Sequence, residues 1–215
     1  GGQVATALTT CARLGLTTRY LGSVGSDELG RMQLKSLRKD NIDMSGVRIV
    51  EGATSQMAIA LIEEGVGERT LVWHRDPRLT FPANEISRTM IASARMLHLD
   101  GRDSKAALEA AQFARENQIP IMIDIDQIYD DLTLQLLGLV DYLIAAEQFA
   151  MKLTKQNSPD DAVRKLAEQF PQAVTGVTLG GAGAVFMIDD KPERSNAFKV
   201  DVLDTTGAGD VFHGA

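Results

Sequence analysis

The chain has 215 residues, of which 44% are hydrophobic and 24% charged, enough length and apolar content to bury a sizeable core in one large domain. Its formal net charge of −7 removes the electrostatic footprint of a nucleic-acid binder. The single cysteine, Cys11, excludes a disulfide within the chain, and no run of roughly 18 apolar residues offers a membrane span, so a cytoplasmic protein acting on small molecules is expected.

Val4, Ala5, Leu8, Cys11 and Ala12 recur at helical spacing and Gly15 follows as a stop, after which Tyr20 to Val24 reads as a short buried strand. Leu29, Met32, Leu34 and Leu37 carry a helix to about Asp40, and Val47, Ile49 and Val50 begin a strand. Gly25 to Gly30 has the outline of a Walker A loop, but Arg31 and Met32 stand where Lys and Ser or Thr would hold phosphate and magnesium, so a P-loop is rejected. Met57, Ile59 and Leu61, a turn at Gly65–Gly67, and Thr70 to Trp73 predict a β-hairpin that interrupts the α/β pattern. This excursion, about residues 52–76, has the form that a closing lid would need, and Trp73, His74 and Arg75 read otherwise as an exposed hairpin edge.

Thereafter the pattern alternates. Helices are predicted around Ile86–Ile91, Ala107–Ala114, Leu132–Leu139 and Ala162–Phe170, with strands at Met96–Leu99, Ile121–Ile125, Tyr142–Ala145 and Val174–Leu179. Strands this apolar imply a mostly parallel sheet flanked by helices, a three-layer α/β architecture whose ligands bind beyond the strand carboxyl ends. Those ends carry Asp100-Gly101-Arg102-Asp103, Asp124-Ile125-Asp126 and Ala145-Ala146-Glu147. Arg102 is either a partner for an anionic group on a substrate or half of a surface salt bridge. Asp124 either binds hydroxyls or caps the next segment. His74, His98 and His213 have no metal-ligand spacing, and no Gly-x-Ser-x-Gly elbow offers a nucleophile.

The chemistry concentrates near the end. Phe198, Val200, Val202 and Leu203 lead at strand-like spacing into Asp204-Thr205-Thr206-Gly207-Ala208-Gly209-Asp210, and a helix is predicted beyond. With almost no side chain on Gly207, Ala208 and Gly209, a phosphate could approach their N–H groups closely, and Asp210 behind them suits a base that takes a proton from an attacking hydroxyl. The combination suggests phosphoryl transfer.

Asp204 to Ala215 resembles the C-terminal signature of the PfkB, or ribokinase-like, carbohydrate kinases. The opening Gly1-Gly2-Gln3-Val4-Ala5-Thr6-Ala7 and Gly22 to Gly30 look like the N-terminal one. The resemblance runs from Gly1 to Ala215 and implies a ribokinase-like fold with a small β lid that also forms a homodimer contact. It implies ATP and Mg2+ as cofactors, leaving open a monovalent cation (K+), and a sugar as acceptor. By the same resemblance Asp210 is the base and Gly207, Ala208 and Gly209 the anion hole. Gly1, Gly2, Gln3, Thr6, Arg102 and Asp124 would meet the sugar, with Gln3 and Thr6 where relatives commonly carry Asn. Thr178-Leu179-Gly180-Gly181-Ala182-Gly183 is similar to the family's nucleotide loop, so Thr178, Gly180, Gly183 and Thr206 would meet ATP; as a bare glycine-rich stretch it reads equally as a hairpin. The family's Asn-x-x-Glu motif falls on Ala146 to Phe149 with both defining residues replaced, which leaves Glu147 as a water-mediated magnesium partner or a helix N-terminal acid.

The closing run Phe198 to Ala215, the missing Asn-x-x-Glu residues and Arg102 together look most like the sulfofructose kinase branch. A nucleoside or other small-molecule kinase of the family, and a sugar or nucleotide sensor without turnover, stay open beside it. Both ends look cut, so a fragment of a longer protein, lacking the family's first strand and its adenine-walling helices, is expected.

Overall fold

The computed structural model describes residues 2–62 and 69–215, and the expected hairpin turn at Gly65–Gly67 and the candidate sugar contact Gly1 lie outside them. Among these residues no helix is long and apolar enough to cross a membrane. Helix α1 (Gln3–Arg13) opens the chain. Two compact units follow from the contact pattern, one holding Cys11–Phe81 and the other Gly2–Thr10 with Pro82–Ala215.

In the first unit β1 (Arg19–Gly25) and β2 (Asp43–Val50) pair in parallel through the crossover helix α2 (Glu28–Lys39). Asp27 caps α2 by accepting from the Gly30 N–H, and it also accepts from the Ser55 backbone N–H and hydroxyl, while Ser55 Oγ accepts from the Gly25 N–H. The Gly22–Gly30 motif is thus a fastening between a strand end, a helix start and residues 53–55. A Cβ on Gly30 would strike the Gly25 carbonyl, which explains the glycine there. The hairpin is present as β3 (Met57–Ile62) against β4 (Arg69–His74), antiparallel and in a sheet of its own.

The second unit is built on a six-stranded sheet. In chain order it contains α3 (Arg88–Ala92), β5 (Leu97–Leu99), α4 (Ser104–Glu116), β6 (Ile121–Ile125), α5 (Asp131–Leu137), β7 (Tyr142–Ala146), α6 (Glu147–Thr154), α7 (Pro159–Gln169), β8 (Val174–Thr178), β9 (Ala184–Ile188), β10 (Lys191–Ser195) and α8 (Ala208–Gly214). The strand order is β10-β9-β8-β7-β6-β5, parallel from β5 to β8 and antiparallel beyond. Ile121, Ile123, Leu143, Val177 and Val185 are fully buried and pack with Leu136 and Leu137 of α5 and Val163 and Leu166 of α7. The stripe Ala107, Ala110, Ala111 and Ala114 buries α4 in the same core.

Two expectations change. The apolar spacing of 198–203 does not yield a strand: nothing among the described residues pairs with it, and Phe198 and Leu203 are fully exposed. Conversely, Lys191–Ser195 is a strand although it has no apolar alternation. Asp189 and Asp190, both with left-handed backbone (φ 48° and 62°), turn the chain back tightly, and the polar edge it forms resists pairing with another chain.

Leu143 lies at the centre of this sheet, so Leu143→Ala should lower the unfolding free energy by about 2–5 kcal/mol, read as an earlier urea midpoint.

Candidate active site

Side-chain alternation puts His98 of β5 and Asp124 of β6 on one face of the sheet, since His98 pairs with Met122, two residues before Asp124. The opposite face carries Ile121, Ile123 and Ile125 into the core. On the polar face, α1 and α8 lie against each other so closely that a Cβ on Gly214 would strike the Ala7 carbonyl and come within 2.8 Å of Thr10 Cβ. At the other end of α8, a Cβ on Gly207 would sit 3.5 Å from Thr6 Cγ2 and 3.7 Å from Asp210 Oδ2. The close fit brings Gln3, Thr6, Asp124, Gly207 and Asp210 together, five of the residues that the sequence assigns to the site.

The turn before α8 is built locally. Asp204 Oδ1 accepts from the Thr206 N–H at 2.8 Å, and Gly207 has a left-handed backbone (φ 80°) that a side chain would strain. The expected trio of open amides is corrected at Ala208, whose N–H donates to the Thr205 carbonyl at 3.1 Å because the turn closes on itself there. The N–H groups of Gly207 and Gly209 have no partner among the described residues, and a Cβ on Gly209 would meet nothing within 4 Å.

Asp124 is buried, with 9% of its surface exposed, and accepts from Gln3 Nε2 at 3.2 Å. Burial first, then the charges of Asp210, Asp126 and Asp100, push it up to about 7. His213 Nε2 faces its Oδ1 at 3.5 Å. That distance would suit an ion pair, yet burial pulls His213 down to about 4, so near neutrality a neutral imidazole faces a partly ionised carboxyl. His98, 5.9 Å from His213 between ring centroids, is likewise held down to about 4 by burial and then by His213. Neither histidine stood out in the sequence; the only available signals were His213 one helical turn after Asp210 and His98 two residues before Asp100.

Arg102 follows β5, and its N–H donates to Asp100 Oδ1 at 3.0 Å. Its guanidinium lies over the Tyr129 ring at 5.4 Å, and Tyr129 donates to Asp126 Oδ1 at 3.1 Å. Of the remaining candidates, Gly2 and Thr206 adjoin this group. Gly2 is exposed (φ 121°), and its carbonyl accepts from the Thr6 hydroxyl at 3.1 Å. Thr178 ends β8, and Gly180 to Gly183 form the hairpin loop into β9: the Leu179 N–H donates to the Gly183 carbonyl at 2.8 Å, and a Cβ on Gly180 or Gly181 would meet nothing within 4 Å. Thr206 is exposed in the turn before α8. Glu147 starts α6 after β7 and acts electrostatically on Arg194, while Phe149 points into the core. Among the described residues no group of three or more His, Cys, Asp or Glu is placed to hold a metal ion.

Known proteins with this architecture are ribokinase-like kinases. An Arabidopsis thaliana ribokinase solved with ribose and ATP superposes with a TM-score of 0.86 at 21% identity, covering 100% of this chain and 72% of that one. An adenosine kinase from Sinorhizobium meliloti gives 0.87 at 23%, covering 100% and 69%. The model of the pfkB family carbohydrate kinases matches residues 1–215, and the chain belongs to that family. It is 30% identical to "Probable fructokinase-6, chloroplastic" of Arabidopsis thaliana over 99% of its own length and 60% of the relative's, and 29% identical to fructokinase-1 of Zea mays over 100% and 72%.

The site sets a pH dependence on stability. An Asp124 carboxyl raised from about 4 in the unfolded chain to about 7 in the folded one favours folding at low pH, and that contribution is lost as the pH rises through this window. Asp124→Asn should therefore raise the melting temperature relative to the parent at pH 8, with the difference vanishing near pH 4, as measured by calorimetry.

Proposed function

We propose that the protein is an ATP-dependent sugar kinase in which Asp210 is the general base. The observation that carries this reading is the placement of the Asp210 carboxylate beside the left-handed Gly207 turn and within electrostatic reach of the buried Asp124. A sugar hydroxyl held by Asp124 and Gln3 would give its proton to Asp210 as its oxygen attacks the γ-phosphorus of MgATP. The bond from that phosphorus to the β,γ-bridging oxygen breaks, ADP leaves, and the phosphoryl group stays on the sugar. The N–H groups of Gly207 and Gly209 would meet the charge on the transferred phosphoryl oxygens, a role that backbone donors fixed in advance fill without reorganising.

Magnesium enters this scheme with the nucleotide. Glu147, at the start of α6, would be its water-mediated partner, while Phe149 is turned into the core and offers no donor. The open glycine backbone of Gly180 and Gly181 is the place for the nucleotide to lie close to the main chain. The hairpin face on which Ile59 and Val72 are exposed cross-strand partners is where a second copy would dock. Arg102, held over Tyr129, is where an acceptor bearing an anionic group would be distinguished from a neutral one.

Assayed in the whole protein across a panel of sugars, Asp210→Asn should bind ATP and sugar while turning over at least about a hundredfold more slowly. Unaltered turnover would remove Asp210 from the chemistry. Arg102→Ala should raise KM for acceptors with a phosphate or sulfonate and leave neutral ones alone; equal effects on both would reject that assignment.

A further inference from the structure

Asp124 is an awkward group to keep ionised. Asp100 after β5, Asp126 after β6 and Asp210 on α8 all act on it with like charge, and β6 buries it. The groups that can donate to it come from two other elements: Gln3 on α1, at 3.2 Å from Oδ1, and His213 on α8, whose Nε2 lies 3.5 Å from the same oxygen. The His213 side chain is only 4% exposed and its Nδ1 is buried without a partner. His98 on β5 lies beside it, with both ring nitrogens buried and unpartnered, and so makes no hydrogen bond that would turn the imidazole away. A proton on Nδ1 would be stranded, whereas one on Nε2 faces a carboxylate, so the surroundings select the Nε2–H tautomer.

We propose that His213 is a positioning residue for the sugar site: its Nε2–H, acting with the Gln3 amide on one oxygen of Asp124, holds that carboxyl ionised and oriented so that it can accept a hydrogen bond from an acceptor hydroxyl. The proposal rests on the kinase reading for its substrate and on the buried pair itself for its geometry. It also gives α8 two tasks one helical turn apart, Asp210 serving the proton transfer and His213 serving acceptor binding. A carboxyl deprived of its imidazole would need a higher pH to ionise, because burial and three acids would then be opposed by Gln3 alone.

The test compares His213→Phe, which keeps a ring but no donor, with His213→Gln, which restores an N–H. In the whole protein at pH 6.5, His213→Phe should raise the sugar KM by about tenfold, the effect of about one unit in the ionisation of Asp124, and leave KM for ATP in place. The defect should shrink toward parity at pH 8.5, and His213→Gln should recover most of the loss at pH 6.5. A loss of equal size at both pH values, or one that falls on kcat, would overturn the proposal, because damaged packing has no reason to heal as the pH rises. A second measurement needs no turnover: the 15N signals of the His213 ring should report the Nε2–H tautomer and shift with a midpoint near 7, and Asp124→Asn should abolish that shift. A ring insensitive to Asp124→Asn sinks the proposal even if the enzyme phosphorylates sugars. If no sugar on the panel is phosphorylated by the parent, the kinase reading fails, while the 15N titration still decides the pairing of His213 with Asp124.

Discussion

The close approach of α8 to α1 is the constraint on which the site depends. Gly214 removes the side chain that would hold the helices apart, and the left-handed turn at Gly207 starts α8 against Thr6, so the polar side of α8 comes down onto the strand ends. A methyl group on Gly214 would meet the backbone of Ala7, which cannot give way as a flexible side chain could. Everything chemically useful is downstream of this contact. Asp210 gains its place beside the turn, His213 reaches Asp124, and the amide of Gln3 meets the same carboxyl from the start of α1.

The price of such an arrangement is electrostatic. Four acids share one end of the sheet, and Asp124, the most buried of them, is kept from easy ionisation first by that burial and then by the charge of the other three. Such crowding makes sense where a site must handle protons and hydroxyls, since a carboxyl that ionises near neutrality can exchange donor and acceptor roles at modest cost. The two neutral histidines pull the other way: they resist protonation, so acidification strains them while alkalinity strains Asp124.

The fold was legible where burial dictated the residues. Ile121–Ile125, Tyr142–Ala145 and Val174–Leu179 could only be strands of a covered sheet, and the alanine stripe of α4 could only face a core. Lys191–Ser195 was not legible because an exposed edge strand imposes no apolar alternation, and 198–203 misled because its alternation has no sheet to join. In the site, Asp124 and Asp210 were readable from a strand end and the glycine turn, and Gln3 only from the resemblance of the opening residues to the family. The occupied N–H of Ala208 was not, since it depends on how tightly the Thr205 turn closes. His98 and His213 were invisible for a deeper reason: they lie 115 positions apart in the chain, and only the pairing of β5 with β6 beneath α8 makes them neighbours.

Phe149 shows how firmly the start of α6 is tied into the interior. Its ring is 6% exposed and packed among the residues that hold the large sheet together, so this position fills space rather than addressing a ligand. Reinstating glutamate there would strand a carboxylate in hydrocarbon at a cost of several kcal/mol, and would leave a gap where the ring had been. An acidic contact placed at this position would require the interior around it to be repacked.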